Sequence, residues 1–164
     1  MFFVLQADMK NCKKGYHMNI LKVKKLKENA KMIQRATKGS AGMDLHACID
    51  ESVTINPGEI KVIPTGLAIA LQNENYVAYI FARSGLAIKH GITLANCVGV
   101  IDSDYRGELC VGLTNISQRP YTIERDERIA QLVISPVCVC DAVEVQSLDE
   151  TERGEGGFGS TGKK

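Results

Sequence analysis

Between Asp102 and Arg106 the chain sets two carboxylates, a phenol and a guanidinium in five residues, Asp-Ser-Asp-Tyr-Arg. A free carboxylate can take a proton from an attacking water. A tyrosine ring offers a flat apolar face, and a guanidinium pairs with anions. The window follows Leu94-Ala-Asn-Cys-Val-Gly-Val-Ile101, two short apolar runs meeting at Gly99, the pattern of a β-hairpin or of a strand with a sharp bend. Read alone, the stretch is equally a surface turn with a local Asp–Arg ion pair. The rest of the chain has to decide.

Four other patches set polar groups where a strand protein would have plain turns. Ser40-Ala-Gly-Met-Asp44-Leu45 carries a carboxylate after a glycine turn. Arg83-Ser84-Gly85-Leu86-Ala87 combines an arginine, a hydroxyl and free amides at a predicted helix start, a good anion site. Asp126-Glu-Arg-Ile-Ala-Gln131-Leu132 is the third. The last is the glycine-rich tail, Arg153-Gly-Glu-Gly-Gly-Phe158-Gly159-Ser160-Thr-Gly. Such a tail cannot order by its own packing and reads first as a flexible terminus. Yet glycine amides can close round phosphates, Arg153 can pair with them, and Phe158 can stack on a base. The tail lacks the Gly-Lys-Ser/Thr order of a P-loop.

The elements that must position these groups are short β-type runs punctuated by turns. Strands are predicted at Met18–Val23, Val53–Ile55, Ile60–Ile63, Leu67–Leu71, Tyr76–Phe81, Ile92–Ala95, Val98–Ile101, Glu108–Thr114, Tyr121–Glu124, Ile129–Val139 and Ala142–Val145. Asn56-Pro57-Gly58, Pro64-Thr65-Gly66 and Asn73-Glu74-Asn75 punctuate them. Ser84–Lys89 is the best helix candidate. Strands this short and evenly spaced predict an all-β fold, a jelly-roll-like antiparallel sandwich or barrel.

The totals narrow the chemistry. With 20 basic and 19 acidic side chains, nothing advertises a nucleic-acid or membrane surface. No apolar run approaches the roughly 20 residues of a membrane span. The opening Met-Phe-Phe-Val-Leu is too short for a secretory segment, so a cytoplasmic protein is expected. The three histidines are scattered, and the six cysteines show no zinc spacing. The cysteines are expected to be reduced, buried, small hydrophobes, with Cys138 and Cys140 on one strand face and poorly set to bridge. Residues 1–17 are polar and aperiodic. We read them as a non-native or disordered extension and Met18 as the native start, since Lys13-Lys14-Gly15 translates back to a purine-rich ribosome-binding sequence. Residues 18–150 would then be the domain and 151–164 an arm. The basic run Lys22–Lys38 is expected to be a solvated edge.

Taken together and in order, the five patches resemble the five motifs of the trimeric dUTP pyrophosphatases (dUTPases). The resemblance spans about residues 18–162, and the third and fifth motifs are its specific ones. Two positions depart: Ala82 stands where the second motif opens with proline, and Glu124-Arg125 where the fourth has Pro-Gly. Both departures concern backbone stiffness at a turn.

The resemblance implies a jelly-roll homotrimer with shared active sites that hydrolyses dUTP to dUMP and pyrophosphate with Mg²⁺. That activity would limit uracil in DNA and supply dUMP for thymidylate. It implies that Asp102 contacts the sugar 3′-hydroxyl and orients the attacking water, while Tyr105 packs under the deoxyribose. Asn96, with backbone groups of Val100 and Ile101, would read uracil, and Cys110 would add a backbone contact. Arg83, Ser84, Gly85 and Gln131 would hold the phosphates, and Asp44 would order the water shell of Mg²⁺. Arg153 would reach the γ-phosphate and Phe158 would cover the base, with Gly159 and Ser160 beside it. Asp104 and Arg106 are left as support for the turn. Two readings compete: a dCTP deaminase of the same fold, and a non-catalytic nucleotide-sensing module. The Asp-Tyr-Arg-Gly run and the tail favour the pyrophosphatase, and a mere binding module needs neither Asp102 nor a closing Phe158.

Overall fold

Alternation in the sequence becomes alternation in space most clearly at Cys110–Asn115, where Val111, Leu113 and Asn115 point inward and Cys110 outward. The computed structural model describes residues 20–157. In chain order these residues form β1 (Lys22–Lys25), β2 (Met43–His46), β3 (Val53–Ile55), β4 (Ile60–Pro64), β5 (Leu67–Ala70) and β6 (Tyr76–Ala82). Helix α1 (Ser84–His90) follows, then β7 (Ile92–Leu94), β8 (Gly99–Ile101), β9 (Cys110–Asn115), β10 (Tyr121–Ile123) and β11 (Arg128–Pro136).

Every pairing is antiparallel. One sheet runs β2-β11-β6-β8 and a second β4-β9-β7, with two ribbons, β1-β5 and β3-β10. Leu45, Ile80 and Leu132 from the first sheet share one core cluster with Ile63, Leu113 and Ile92 from the second, and Ile55 and Ile123 join it from a ribbon. This is the expected all-β jelly-roll sandwich. The lysines of the Lys22–Lys38 run are all exposed, as a solvated edge requires.

Four details differ from the sequence-based expectation. Met43–His46 is a strand rather than the end of a turn, because Leu45 is fully buried while its neighbours pair with β11. The Leu94–Ile101 stretch is not a hairpin: β7 pairs with β9 and β8 with β6, so the turn between them carries the chain from one sheet to the other. Cys97 makes that crossing at φ 62°. Strand β11 stops at Pro136, and Ala142–Val145 forms no strand. Val139, Val143 and Val145 are exposed, for no strand among the described residues runs beside them to accept their backbone bonds. The start of the predicted first strand, Met18, lies outside the described residues, as does Cys12.

The cysteines divide differently as well. Cys48 is buried as expected, but Cys97, Cys110, Cys138 and Cys140 are exposed. With β11 ended at Pro136, strand geometry no longer governs Cys138 and Cys140, and their Sγ atoms lie 3.4 Å apart.

One buried polar side chain ties the core to its loops. Asn115 is fully buried, yet its Nδ2 donates to Ile55 O at 2.9 Å and Arg119 O at 2.7 Å. Its Oδ1 accepts from Ser117 N at 2.9 Å and Ser117 Oγ at 2.7 Å. Every hydrogen-bonding group it has is used. Asn115→Leu, of similar volume, removes these four bonds; the Ser117 hydroxyl can still donate to Arg119 O, but the Asn115 Nδ2 bond to Ile55 O and the Oδ1 acceptor of Ser117 N are lost. We expect it to cost about 3 kcal/mol in urea unfolding with an unchanged m-value; a loss below about 1 kcal/mol would deny Asn115 this role.

Candidate active site

The residues expected to hold phosphate are organised by an irregularity in β11. The strand is out of step between Arg128 and Ala130, so Arg128 pairs with His46 while Gln131 pairs with Asp44. Residues three apart on a regular strand face opposite sides; a bulge puts Arg128 and Gln131 on the same side. Asp44 and His46, two apart on β2, already share it. Ile129 and Ala130, between them, are both buried.

Asp44 is the focus of this face. Its Oδ1 accepts from Arg83 Nε at 3.0 Å and its Oδ2 from Arg128 Nη1 at 3.2 Å. Arg83 also donates from Nη1 to Arg128 O at 3.2 Å. The carboxylate is only 16% exposed, so the two guanidiniums replace water round it. His46 beside them has a buried Nδ1 with no hydrogen-bond partner. Burial is the chief reason its pKa falls below the ordinary 6.5, opposed by Asp44 and reinforced by Arg128. It therefore adds no third positive charge near neutral pH.

Arg83 caps α1 with extended backbone (φ −86°, ψ 127°), and no side chain occupies the cap. The first amides of the helix are thus left to other acceptors. Gly91, at φ 69°, ends the helix through bonds to Leu86 O and Ala87 O. Gln131 donates from Nε2 to Ala82 O at 3.0 Å. A Cβ on Gly42 would strike Gln131 Oε1, which explains glycine there. Ser40, Gly42, Asp44, Arg83, Ser84, Gly85 and Gln131 line one open cleft of about 360 Å³.

Val100, Ile101, Asp102, Tyr105, Glu108 and Cys110 line a second cleft of about 180 Å³. No residue lines both. Tyr105 N bonds back to Asp102 O at 3.2 Å, closing a turn, and Tyr105 donates its hydroxyl to Glu108 O at 2.9 Å. A Cβ on Gly107 would collide with that hydroxyl, so glycine lets the ring lie down. Glu108 in turn accepts from Gly66 N at 2.7 Å. Arg106 does not pair with Asp104: it donates from Nη1 to the carbonyls of Ser103 and Tyr105, at 2.7 and 2.8 Å. It splints the turn. The Asp102 side chain is exposed and has no hydrogen bond or ion pair among the described residues. Burial raises the pKa of the Cys110 thiol and Glu108 adds to this, which disfavours its thiolate.

The remaining predicted positions stand apart. Asn96 is exposed on the crossing turn and lines neither cleft. Arg153 donates from Nε to Gly156 O at 3.0 Å, within the arm's own turn. Phe158, Gly159 and Ser160 lie outside the described residues. Two residues were missed, Arg128 and Glu108. Arg128 could be found only from the bulge, but Glu108 stands two residues after Arg106, at the start of a predicted strand.

The Asp44 clamp differs from the exposed pair Lys31–Asp126, 3.4 Å apart and 52% and 40% exposed. We expect Asp44→Asn to cost about 1–3 kcal/mol in denaturant melts, and Lys31→Met to fall within about 0.5 kcal/mol of the parent. Equal effects would mean that the clamp is an ordinary surface pair.

Comparison with known proteins supplies the family. The dUTPase family model matches residues 28–162. The deoxyuridine 5'-triphosphate nucleotidohydrolase of Neisseria meningitidis serogroup A is 56% identical over 127 residues, 77% of this chain and 85% of that protein. The dUTPase of Staphylococcus bacteriophage 80alpha, solved with dUpNHpp, superposes with a TM-score of 0.80 at 33% identity, covering 88% of this chain and 99% of that one. A variant of the dUTPase from phage phi11 of S. aureus, solved to describe coordination of a structural Mg(II) ion, gives a TM-score of 0.71 at 29% identity, with 79% and 98% covered. With two clefts built from the motif residues, and with a family match across most of its length, the chain belongs to the dUTPase family.

Proposed function

We propose that this chain hydrolyses dUTP to dUMP and pyrophosphate, and that it works as a homotrimer with active sites shared between chains. The observation that carries the reading is Asp102: an exposed carboxylate, without a partner among the described residues, in one cleft with Val100, Ile101, Tyr105 and Cys110. The 80alpha enzyme's complex with dUpNHpp, a dUTP analogue, supports the substrate.

The chemistry is a displacement at the α-phosphorus. Water attacks in line, Asp102 accepts its proton, and pyrophosphate leaves as the P–O bond to the β-phosphate breaks. No covalent intermediate is needed, which agrees with a disfavoured thiolate at Cys110. Tyr105, its hydroxyl committed to Glu108, offers its ring to the deoxyribose and leaves no room for a 2′-hydroxyl. Asn96 and the backbone of Val100 and Ile101 read the uracil edge. Hydrogen-bond readout of this kind penalises cytosine because buried groups are left unpaired.

Arg83, Ser84, Gly85 and Gln131 take the phosphates. The two clefts share no residue, which favours a site made where the base cleft of one chain meets the phosphate cleft of another. Arg153 and Phe158, with Gly159 and Ser160, close over the bound nucleotide as residues 151–164 fold down, excluding bulk water. The nucleotide pool sets the enzyme in the cytoplasm.

The residues fit Mg²⁺ only in a particular way. Among the described residues no group of three or more His, Cys, Asp or Glu could hold a metal. Each Asp44 oxygen, however, spends one acceptor position on an arginine and keeps another. Asp44 would hold water of an Mg²⁺ gripped by the triphosphate, and the ion would neutralise phosphate charge.

Incubating the protein with Mg²⁺ and dUTP, dCTP, dTTP or UTP in turn tests the reading. Pyrophosphate from dUTP alone is expected. Formation of dUTP from dCTP would mean a deaminase, which family membership disfavours, and no product a binding module. Asp102→Asn should lower kcat by about 10²–10⁴-fold with dUpNHpp affinity nearly unchanged; parallel losses would refute its role toward water. Deleting residues 153–164 should leave the trimer intact by light scattering and cut kcat by roughly 10²-fold. A fully active truncation would make the tail a mere flexible end.

A further inference from the structure

We infer that Cys138 and Cys140 form a thiol–disulfide exchange site, a dithiol that low-molecular-weight disulfides such as oxidised glutathione convert to an internal disulfide. Both thiols are free and exposed, and their sulfurs are 3.4 Å apart. The Cys140 thiol also points back toward Cys138 O, 4.0 Å away. Strand β11 ended two residues earlier, at Pro136, and the last backbone bond to the sheet is Val137 N to Asn75 O at 2.9 Å. The segment is therefore free of the ladder that would hold neighbouring side chains of one face apart. Closing the S–S bond asks the sulfurs to approach to about 2.0 Å, a change within reach of side-chain rotation and a local turn.

The reaction balances in two exchanges. The thiolate of one cysteine attacks a sulfur of the disulfide RSSR, forming a mixed disulfide and releasing RS⁻. The neighbouring thiol, deprotonated in its turn, attacks the protein sulfur of that mixed disulfide and releases a second RS⁻. Two protein thiols are oxidised, one RSSR is reduced to two RSH, and the two protons end on the products. The second step is intramolecular between groups already in contact, so the mixed disulfide does not accumulate. Cys97 and Cys110, exposed elsewhere, have no sulfur partner among the described residues and would stop at the adduct. The closed ring would forbid extended backbone at 138–140, at the root of the segment that leads to Arg153.

One tryptic peptide, residues 129–153, contains both cysteines and no other. The reduced full-length protein is treated with oxidised glutathione at mildly alkaline pH, then alkylated, digested without reductant and weighed. The expected peptide is two hydrogens lighter than the dithiol, unalkylated, and returned to the doubly alkylatable form by dithiothreitol. In Cys140→Ser the same peptide should carry one glutathione on Cys138. A glutathione adduct persisting on the wild-type peptide, two alkylated thiols after treatment, or a disulfide joining two chains would each overturn the inference.

Discussion

The out-of-step pairing between Arg128 and Ala130 on β11 is the constraint on which the cleft around Asp44 depends. Strand geometry allows only one face at a time, and the face opposite Asp44 here carries Gln131 by direct register. Without the bulge Arg128 would lie on the other side, and Asp44 would keep only Arg83. With it, one carboxylate holds two arginines brought by two other strands of its sheet, Arg83 just beyond the end of β6 and Arg128 at the start of the adjacent β11. The cost is a local loss of ladder bonds. The compensation is burial of both Ile129 and Ala130, which anchor the bulge in the core.

A second consequence of the topology concerns the cleft lined by Val100 and Asp102. Because β7 and β8 belong to different sheets, the turn carrying Asn96 and Cys97 spans the edge of the sandwich rather than capping a ribbon. Val100 and Ile101 then run along β6, while Cys110 runs along β4. Their cleft is a seam between two sheets, filled from one end by the Asp102–Glu108 loop. That loop is stiff by its own bonds: Arg106 to two carbonyls, Tyr105 to Glu108, and Glu108 to Gly66. Every polar side chain from Tyr105 to Glu108 is committed to the scaffold; Asp102 and Asp104 both lack a partner among the described residues, and of the two only Asp102 lines the cleft. This sharpens a distinction that spacing alone could not draw, since Asp102, Asp104 and Arg106 look equally chemical in the sequence.

What the sequence made legible follows from the kind of signal each residue leaves. Arg83-Ser84-Gly85 and Asp102–Arg106 are polar clusters beside apolar runs, so both the strands and the turns announced themselves. The strand Met43–His46 did not, because a four-residue strand with Asp44 and His46 on one face shows one buried apolar residue, Leu45. Arg128 was invisible as a site residue because its orientation depends on a bulge, which alternation cannot encode. The opposite error arose after Pro136. Val137, Val139, Val143 and Val145 alternate with polar or small residues as a strand would, yet a strand needs a neighbour as well as a pattern. With none beside it among the described residues, the segment is extended to solvent, and its two cysteines meet.

The two departures from the family pattern bear on whether stiffness at a turn must come from proline and glycine. At Ala82 the position is the last of β6 and still pairs with Ala130, while its carbonyl is held by Gln131 Nε2 at 3.0 Å. A proline would restrict φ there; the carbonyl bond restrains the same residue from its C-terminal side. At the fourth motif, Glu127 N closes a turn to Glu124 O at 3.1 Å, with Asp126 in the left-handed region at φ 62°. Aspartate tolerates that conformation better than most residues. The Glu127 carboxylate then ties the turn across, accepting from Glu124 N at 2.9 Å and from the Tyr121 hydroxyl at 2.7 Å. Side-chain bonds thus do here what ring and glycine geometry do in the usual motif. Because the turn leads straight into Arg128, its rigidity is what lets the bulge begin at a fixed residue.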